Sequence, residues 1–157
     1  MQMKVKYLFP NIPELISNDG DSGYDIRAAI EAPQTINAGK MAHIPTGIAV
    51  ELEPSHPIIY PDVFCQNNNA AIELQVRPRS GHTKRGIVAQ FGTIDASYRG
   101  EIWVNILNTN DYPVTIEPLE RIAQIVVCPI HKPTITTAKV LSETKRGEKG
   151  FGSTGKD

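Results

Sequence analysis

Five short clusters of carboxylates, guanidinium groups, amides and hydroxyls interrupt an otherwise apolar chain. The first, Ser22-Gly23-Tyr24-Asp25-Ile26-Arg27-Ala28, sets one carboxylate between apolar positions. A partly buried carboxylate needs a salt partner, hydrogen-bond donors or a cation, so Asp25 either pairs with an arginine or faces a metal-bearing ligand. The second, Arg77-Pro78-Arg79-Ser80-Gly81, ends an apolar run in a turn. Its guanidinium groups can grip phosphate oxygens bidentately while turn amides form an anion nest; the plainer reading is solvated loop arginines, with His82 an ordinary loop residue beside them. The third, Gly92-Thr93-Ile94-Asp95-Ala96-Ser97-Tyr98-Arg99-Gly100, reads as a β-hairpin with a polar tip. Splayed hairpin strands offer unpaired N–H and C=O groups to a planar base, and Asp95 is placed to take a proton from water or, alternatively, to stabilise its own turn. In the fourth, Arg121-Ile122-Ala123-Gln124-Ile125-Val126-Val127, two polar residues break a buried strand and either face outward or serve a ligand. The fifth, Lys145-Arg146-Gly147-Glu148-Lys149-Gly150-Phe151-Gly152-Ser153-Thr154-Gly155, has the composition of a disordered tail, except that a linker has no use for the aromatic between its glycines. An aromatic face can stack on a base, and the flanking amides, hydroxyls and Arg146 can wrap phosphates.

The elements that must hold these clusters are strands. Apolar residues alternate at Met3/Val5/Tyr7, Ile48/Val50/Leu52, Ile72/Leu74/Val76 and Ile102/Val104/Ile106. Twelve prolines and twelve glycines leave no long helical repeat, so the expected class is all-β: a sandwich, jelly roll or barrel. A length of 157 residues suits one domain. Residues 54–70, rich in proline and asparagine, read as a long loop, and the polar stretch 142–157 reads as a mobile tail.

Sixteen basic residues against 17 acidic ones rule out a broad basic field, so no nucleic-acid partner is expected and any phosphate must be met locally. The N-terminal run lacks the apolar core of a secretory signal and no segment suits a membrane span. Cys65 and Cys128 lie far apart, with no histidine at metal-ligand spacing, which suits reduced thiols in the cytoplasm.

Together and in this order, the clusters resemble the five motifs of the homotrimeric dUTPases, from Ser22 to Gly155. Each piece alone is commonplace, but the joint order is highly specific. The resemblance implies a jelly-roll-like distorted β-barrel over residues 1–141, a tail over 142–157 carrying the fifth motif, and three active sites at subunit interfaces. It implies Mg²⁺-dependent hydrolysis of dUTP to dUMP and pyrophosphate, which limits uracil in DNA and supplies dUMP for dTMP synthesis. By the same resemblance, Arg79, Ser80, Gly81 and Gln124 meet phosphates, and Asp25 reaches Mg²⁺ through water. Gln90, Gly92, Thr93, Ile94 and Asp95 surround uracil, Asp95 activates the attacking water, and Tyr98 underlies the deoxyribose. Arg146 meets the γ-phosphate, and Phe151, Gly152 and Ser153 close over the nucleotide.

The chain departs from that pattern where most relatives carry an asparagine before the Gly-Thr-Ile-Asp run: aligned on Gly92, that position is Ala89. Either the Gln90 amide substitutes or the main chain alone reads the base. The 54–70 loop is longer than the family pattern suggests, with a lid, a trimer contact or a partner surface as its possible roles, and Glu148-Lys149 stands where a glycine is common. Two other readings compete: a non-catalytic binding protein on the same scaffold, and a dCTP deaminase, whose Arg-Ser turn and tail look different.

Residues 142–155 can extend up to roughly 45 Å, at ~3.3 Å per residue, far enough to reach a neighbouring subunit. Deleting residues 146–157 is therefore expected to preserve the fold, seen as an unchanged thermal melt, and to cripple turnover; full activity would contradict closure by the tail.

Overall fold

The computed structural model describes residues 2–53 and 70–147; residues 54–69 and 148–157, including Phe151, Gly152 and Ser153, lie outside the described residues. The described residues form eleven strands and one short helix: β1 (Gln2–Tyr7), β2 (Tyr24–Arg27), β3 (Gln34–Ile36), β4 (Met41–Pro45), β5 (Ile48–Glu53), β6 (Ala70–Arg77), α1 (Ser80–Lys84), β7 (Ile87–Ala89), β8 (Gly92–Asp95), β9 (Trp103–Asn108), β10 (Val114–Ile116) and β11 (Arg121–His131). All the pairings are antiparallel. The strands make a four-stranded sheet in the order β2-β11-β6-β8, a three-stranded sheet β4-β9-β7, and the pairs β1-β5 and β3-β10. The all-β class is as the periodicity predicts, and the jelly-roll-like arrangement is as the resemblance implies.

One core joins these sheets. Ile26, Leu74, Val76 and Ile125 enter it from the four-stranded sheet, and Ile44, Ile87, Val104 and Ile106 from the three-stranded one. Ile48, Val50 and Leu52 come from β5, and Ile36 and Ile116 from β3 and β10. Most of these side chains are β-branched, and stiff branched side chains pack well on a pleated surface. Burying each contributes about 1.5–3 kcal/mol before the entropy of ordering is counted. Met3 and Val5 pack against the core from the edge, whereas Tyr7, in phase with them, stays exposed and accepts the Leu15 N–H at 3.0 Å.

Three polar residues, Thr46, His82 and Asn108, are buried among the described residues. Asn108 is fully buried and donates to the carbonyls of Ile36 at 3.0 Å and Tyr112 at 2.8 Å, while its Oδ1 accepts the Asn110 N–H at 3.0 Å. Its amide satisfies backbone groups that the turn after β9 would otherwise leave unpaired.

Two local expectations are corrected. The segment after Arg79 is not an open turn but the helix α1, and His82 on it is buried rather than a loop residue. The third cluster lies within a wider hairpin whose arms are β7 and β9, paired from Ile87↔Asn108 to Ala89↔Ile106. Beyond a last Gln90 N–H to Asn105 carbonyl bond at 2.8 Å the arms part, and β8 crosses to pair with β6. After β11, residues 132–147 form no strand or helix and are exposed. No helix among the described residues is long and apolar enough to cross a membrane.

Candidate active site

β11 carries the fourth cluster between β2 and β6. In a regular strand, positions 121 and 124 face opposite sides, because side chains alternate with period two. The pairing slips between Arg121 and Ala123, so Ile122 and Ala123 are both buried and the alternation resets. That bulge brings Arg121 and Gln124 to the rim of one cleft, where Gln124 is level with Asp25 on β2 and Arg77 on β6.

The cleft has a volume of about 610 Å³, within the usual range for a small-molecule site. Asp25, Arg79, Ser80, Gly81, Arg121 and Gln124 line one side, and residues of the 13–23 segment the other. Asp25 anchors it: its Oδ1 accepts from Arg79 Nε at 2.8 Å and its Oδ2 from Arg121 Nη1 at 3.2 Å. One carboxylate thus holds two guanidinium groups side by side. Gln124 Nε2 donates to the Pro78 carbonyl at 3.3 Å, tying the start of the Arg-Ser turn to β11. Gly23 lets β2 start against β11, since a Cβ there would lie 2.6 Å from the Ile125 carbonyl oxygen and 2.8 Å from Val126 Cγ2. Arg77, grouped with Arg79 by sequence, does not line the cleft; its guanidinium lies back along its own strand and donates to Gln75 Oε1 at 2.7 Å and Cys128 Sγ at 3.3 Å.

His82 braces this side. Its Nε2 donates to Glu120 Oε1 at 2.9 Å, and the other oxygen of Glu120 accepts the Glu117 N–H at 2.9 Å, so α1 is tied to the turn that presents Arg121. A carboxylate only accepts, so the proton sits on Nε2, and Nδ1 is buried without a partner among the described residues. Burial, opposed by the Glu120 carboxylate, holds His82 below the usual 6.5.

The third cluster lies elsewhere. On β8, Asp95 is exposed opposite Glu73, and among the described residues its carboxylate has no hydrogen-bond or ion-pair partner. The turn after it is held instead by Tyr98 N–H to the Asp95 carbonyl at 2.9 Å and by Arg99 Nη1 to the Ala96 carbonyl at 2.7 Å. Tyr98 folds onto Gly100, where a Cβ would lie 2.3 Å from its hydroxyl oxygen, and donates to the Glu101 carbonyl at 3.0 Å, leaving the ring partly exposed. Ala89 points into the core, 2% exposed, whereas Gln90 faces outward.

Within one chain these groups do not meet. From Asp25 to Asp95 the register counts three strand spacings across, roughly 14 Å, and four residues along, roughly 13 Å, or roughly 19 Å in all. A base must lie within direct or one-water hydrogen-bond reach of its target. Neither Asp95 nor Gln90, Gly92, Thr93, Ile94 or Tyr98 lines the cleft. Arg146 lies on an exposed turn closed by Gly147 N–H to the Thr144 carbonyl at 3.1 Å and does not line the cleft either. Arg121 is the lining residue that sequence reasoning left among the outward-facing polar positions. Its signal was its place beside Gln124, unreadable until the bulge was known.

An antiparallel β protein with an arginine-flanked cleft on one sheet and a polar hairpin at its edge strand belongs to the all-β, jelly-roll-like class. A family profile described as dUTPase matches residues 12–155. The chain belongs to the dUTPase family. It is 42% identical over 160 residues to the deoxyuridine 5'-triphosphate nucleotidohydrolase of Rickettsia bellii, covering 98% of this chain and 95% of the relative. It is 39% identical over 140 residues to the protein of the same description from Bdellovibrio bacteriovorus, covering 87% and 83%. Among solved structures it matches the Staphylococcus bacteriophage 80alpha dUTPase with dUPNHPP, with a TM-score of 0.78, 29% identity and 98% of both chains covered.

The brace has a measurable consequence. Because His82 binds its proton less readily folded than unfolded, the stability it contributes is complete above pH 6.5 and declines as pH falls below that value. The melting temperature is expected to fall more steeply below pH 6.5 in the wild type than in His82→Gln, whose amide can still donate to Glu120 without titrating. Parallel melting curves across a pH series would show that His82 carries no such linkage.

Proposed function

We infer that this chain hydrolyses dUTP to dUMP and pyrophosphate as a cytoplasmic homotrimer, each active site completed by more than one subunit. The observation that carries the reading is that one chain holds both halves of the site, the Asp25–Arg79–Arg121 cleft and the Asp95–Tyr98 hairpin, but holds them roughly 19 Å apart. Residues 12–155, which span both halves, match the dUTPase family, which favours the hydrolase over the dCTP deaminase; a non-catalytic binder on the same scaffold is separated from it by the turnover test. Exposed apolar side chains such as Met41, Trp103, Ile135, Val140 and Leu141 suit burial between copies.

In this reading Arg79, Ser80, Gly81 and Gln124 receive the phosphate chain, joined by Arg121. The first amides of α1 have no intrahelical partners and add donors beside Ser80 and Gly81. The triphosphate competes with Asp25 for the two guanidinium groups, which are already gathered and need little reorganisation. The hairpin segment from Gln90 to Asp95 receives uracil, and the Tyr98 ring packs under the deoxyribose, leaving no room for a 2′-hydroxyl. The unengaged carboxylate of Asp95 orients water for attack on the α-phosphorus and takes its proton. A carboxylate is a feeble base at neutral pH, so this contributes on the order of 10²–10⁴-fold, and charge stabilisation around the phosphates supplies the rest. Arg146 meets the γ-phosphate, with Phe151, Gly152 and Ser153 covering the nucleotide.

No cluster of three metal-ligating side chains occurs among the described residues; Glu14, Asp21 and Asp25 are carboxylates lining the cleft, and Asp25 is the one bonded to Arg79 and Arg121. That would suit Mg²⁺ bound with the triphosphate, an ion that keeps much of its water and uses few protein carboxylates; Asp25 is the residue that would hold it, through water. When bound, the ion neutralises charge on the phosphates and on the departing pyrophosphate.

Pyrophosphate release from dUTP with Mg²⁺ tests the activity, and a folded protein without turnover would refute it. Asp95→Asn is expected to bind dUTP while losing most of kcat. Arg79→Ala and Asp95→Asn, each inactive alone, are expected to regain a fraction of wild-type activity when unfolded and refolded together, because mixed trimers contain sites with both intact halves. No recovery in confirmed mixed oligomers would refute the shared site.

A further inference from the structure

The loss of the usual asparagine at Ala89 leaves open how this chain tells uracil from cytosine, and the outer face of the three-stranded sheet carries an arrangement suited to that task. Trp103 stacks on the His43 ring, with centroids 4.7 Å apart and planes 15° from parallel. His43 is paired in register with Asn105, and its Nδ1 lies 2.6 Å from Asn105 Oδ1. Asn105 Nδ2 donates to Gln90 Oε1 at 3.0 Å. Gln90 stands where the hairpin arms part, one residue past the last β7–β9 pair, and among the described residues its Nε2 has no acceptor.

An amide is a donor at one end and an acceptor at the other, so fixing one end fixes what the other presents. In the Nδ1–H tautomer of His43, Asn105 Oδ1 accepts, Asn105 Nδ2 donates to Gln90 Oε1, and Gln90 Nε2 is left as an outward donor; the Nε2–H tautomer would reverse each bond. We propose that the His43–Asn105–Gln90 chain, held by Trp103, makes Gln90 a donor-only reader of the base and so selects uracil over cytosine. Uracil presents the O4 acceptor where cytosine presents an N4 amine, and two donors facing each other cannot pair. The inference rests on the reading that the Gln90–Asp95 segment holds the base, and it gives His43 and Asn105 the part of positioning residues.

The decisive variant is Asn105→Asp. A carboxylate cannot donate to Gln90 Oε1, so the Gln90 amide must turn its Nε2 inward and expose Oε1, an acceptor for the cytosine amine. The ratio of kcat/KM for dUTP over dCTP is expected to fall about 10- to 100-fold, through both poorer use of dUTP and better use of dCTP. His43→Ala, which frees Asn105 to rotate, should lower the ratio by less, and it serves as the test if Asn105→Asp does not fold by thermal melt. In a Gln90→Leu background, Asn105→Asp should move the ratio no further, a non-additivity that a merely structural role would not produce. An unchanged ratio in folded Asn105→Asp or, failing that, in folded His43→Ala, or full additivity with Gln90→Leu, would overturn the inference while leaving dUTP hydrolysis intact. Absence of dUTP turnover in the wild type would instead remove the reading on which it rests.

Discussion

The contact between one carboxylate and two guanidinium groups governs the rest of the site. Arg79, just before α1, and Arg121 at the start of β11 carry like charges that would repel each other across the cleft. Asp25, on the neighbouring strand β2, accepts from both. The pairs are partly solvated, so they contribute little to global stability. Their effect is geometric: the donors stand together, and the single Asp25 charge offsets one of the two guanidinium charges, leaving the cluster net positive. Gly23, Gln124 and the His82–Glu120 bond all support this contact, by letting β2 close on β11, by tying the Arg-Ser turn down and by fixing α1 to the turn before Arg121.

The second constraint is the register of the four-stranded sheet. Antiparallel pairing puts Asp25, Gln124 and Arg77 at one level and Glu73 and Asp95 at another, four residues along. No side-chain rotation closes that gap, so the Asp25–Arg79–Arg121 cluster and the Asp95 carboxylate of one chain are fixed apart. The β scaffold thus keeps Asp95 and Tyr98, both exposed, outside the cleft of their own chain.

Much of the fold was legible from the period-two alternation, because burial on one face of a strand leaves that imprint directly: Ile48/Val50/Leu52, Ile72/Leu74/Val76 and Ile102/Val104/Ile106 all enter the core as read. His82 was misread because a single histidine beside charged residues has no periodicity to betray burial; its partner Glu120 lies 38 positions away. The third cluster was recognisable as a hairpin, but which strands formed its arms depended on pairing with β6, a contact between distant segments.

The order of the five clusters, their residue types and the all-β class were determined by the sequence itself, since chemistry and strand periodicity are local properties. Only the tertiary structure decided that Arg121 and Gln124 share a face, that Arg77 lies away from the cleft while Arg79 enters it, and that Asp95 stands apart from Asp25. These depend on a bulge and on strand register, which are set by pairing between distant segments and by the packing of both sheets on one core; the alternation within a single strand does not encode them.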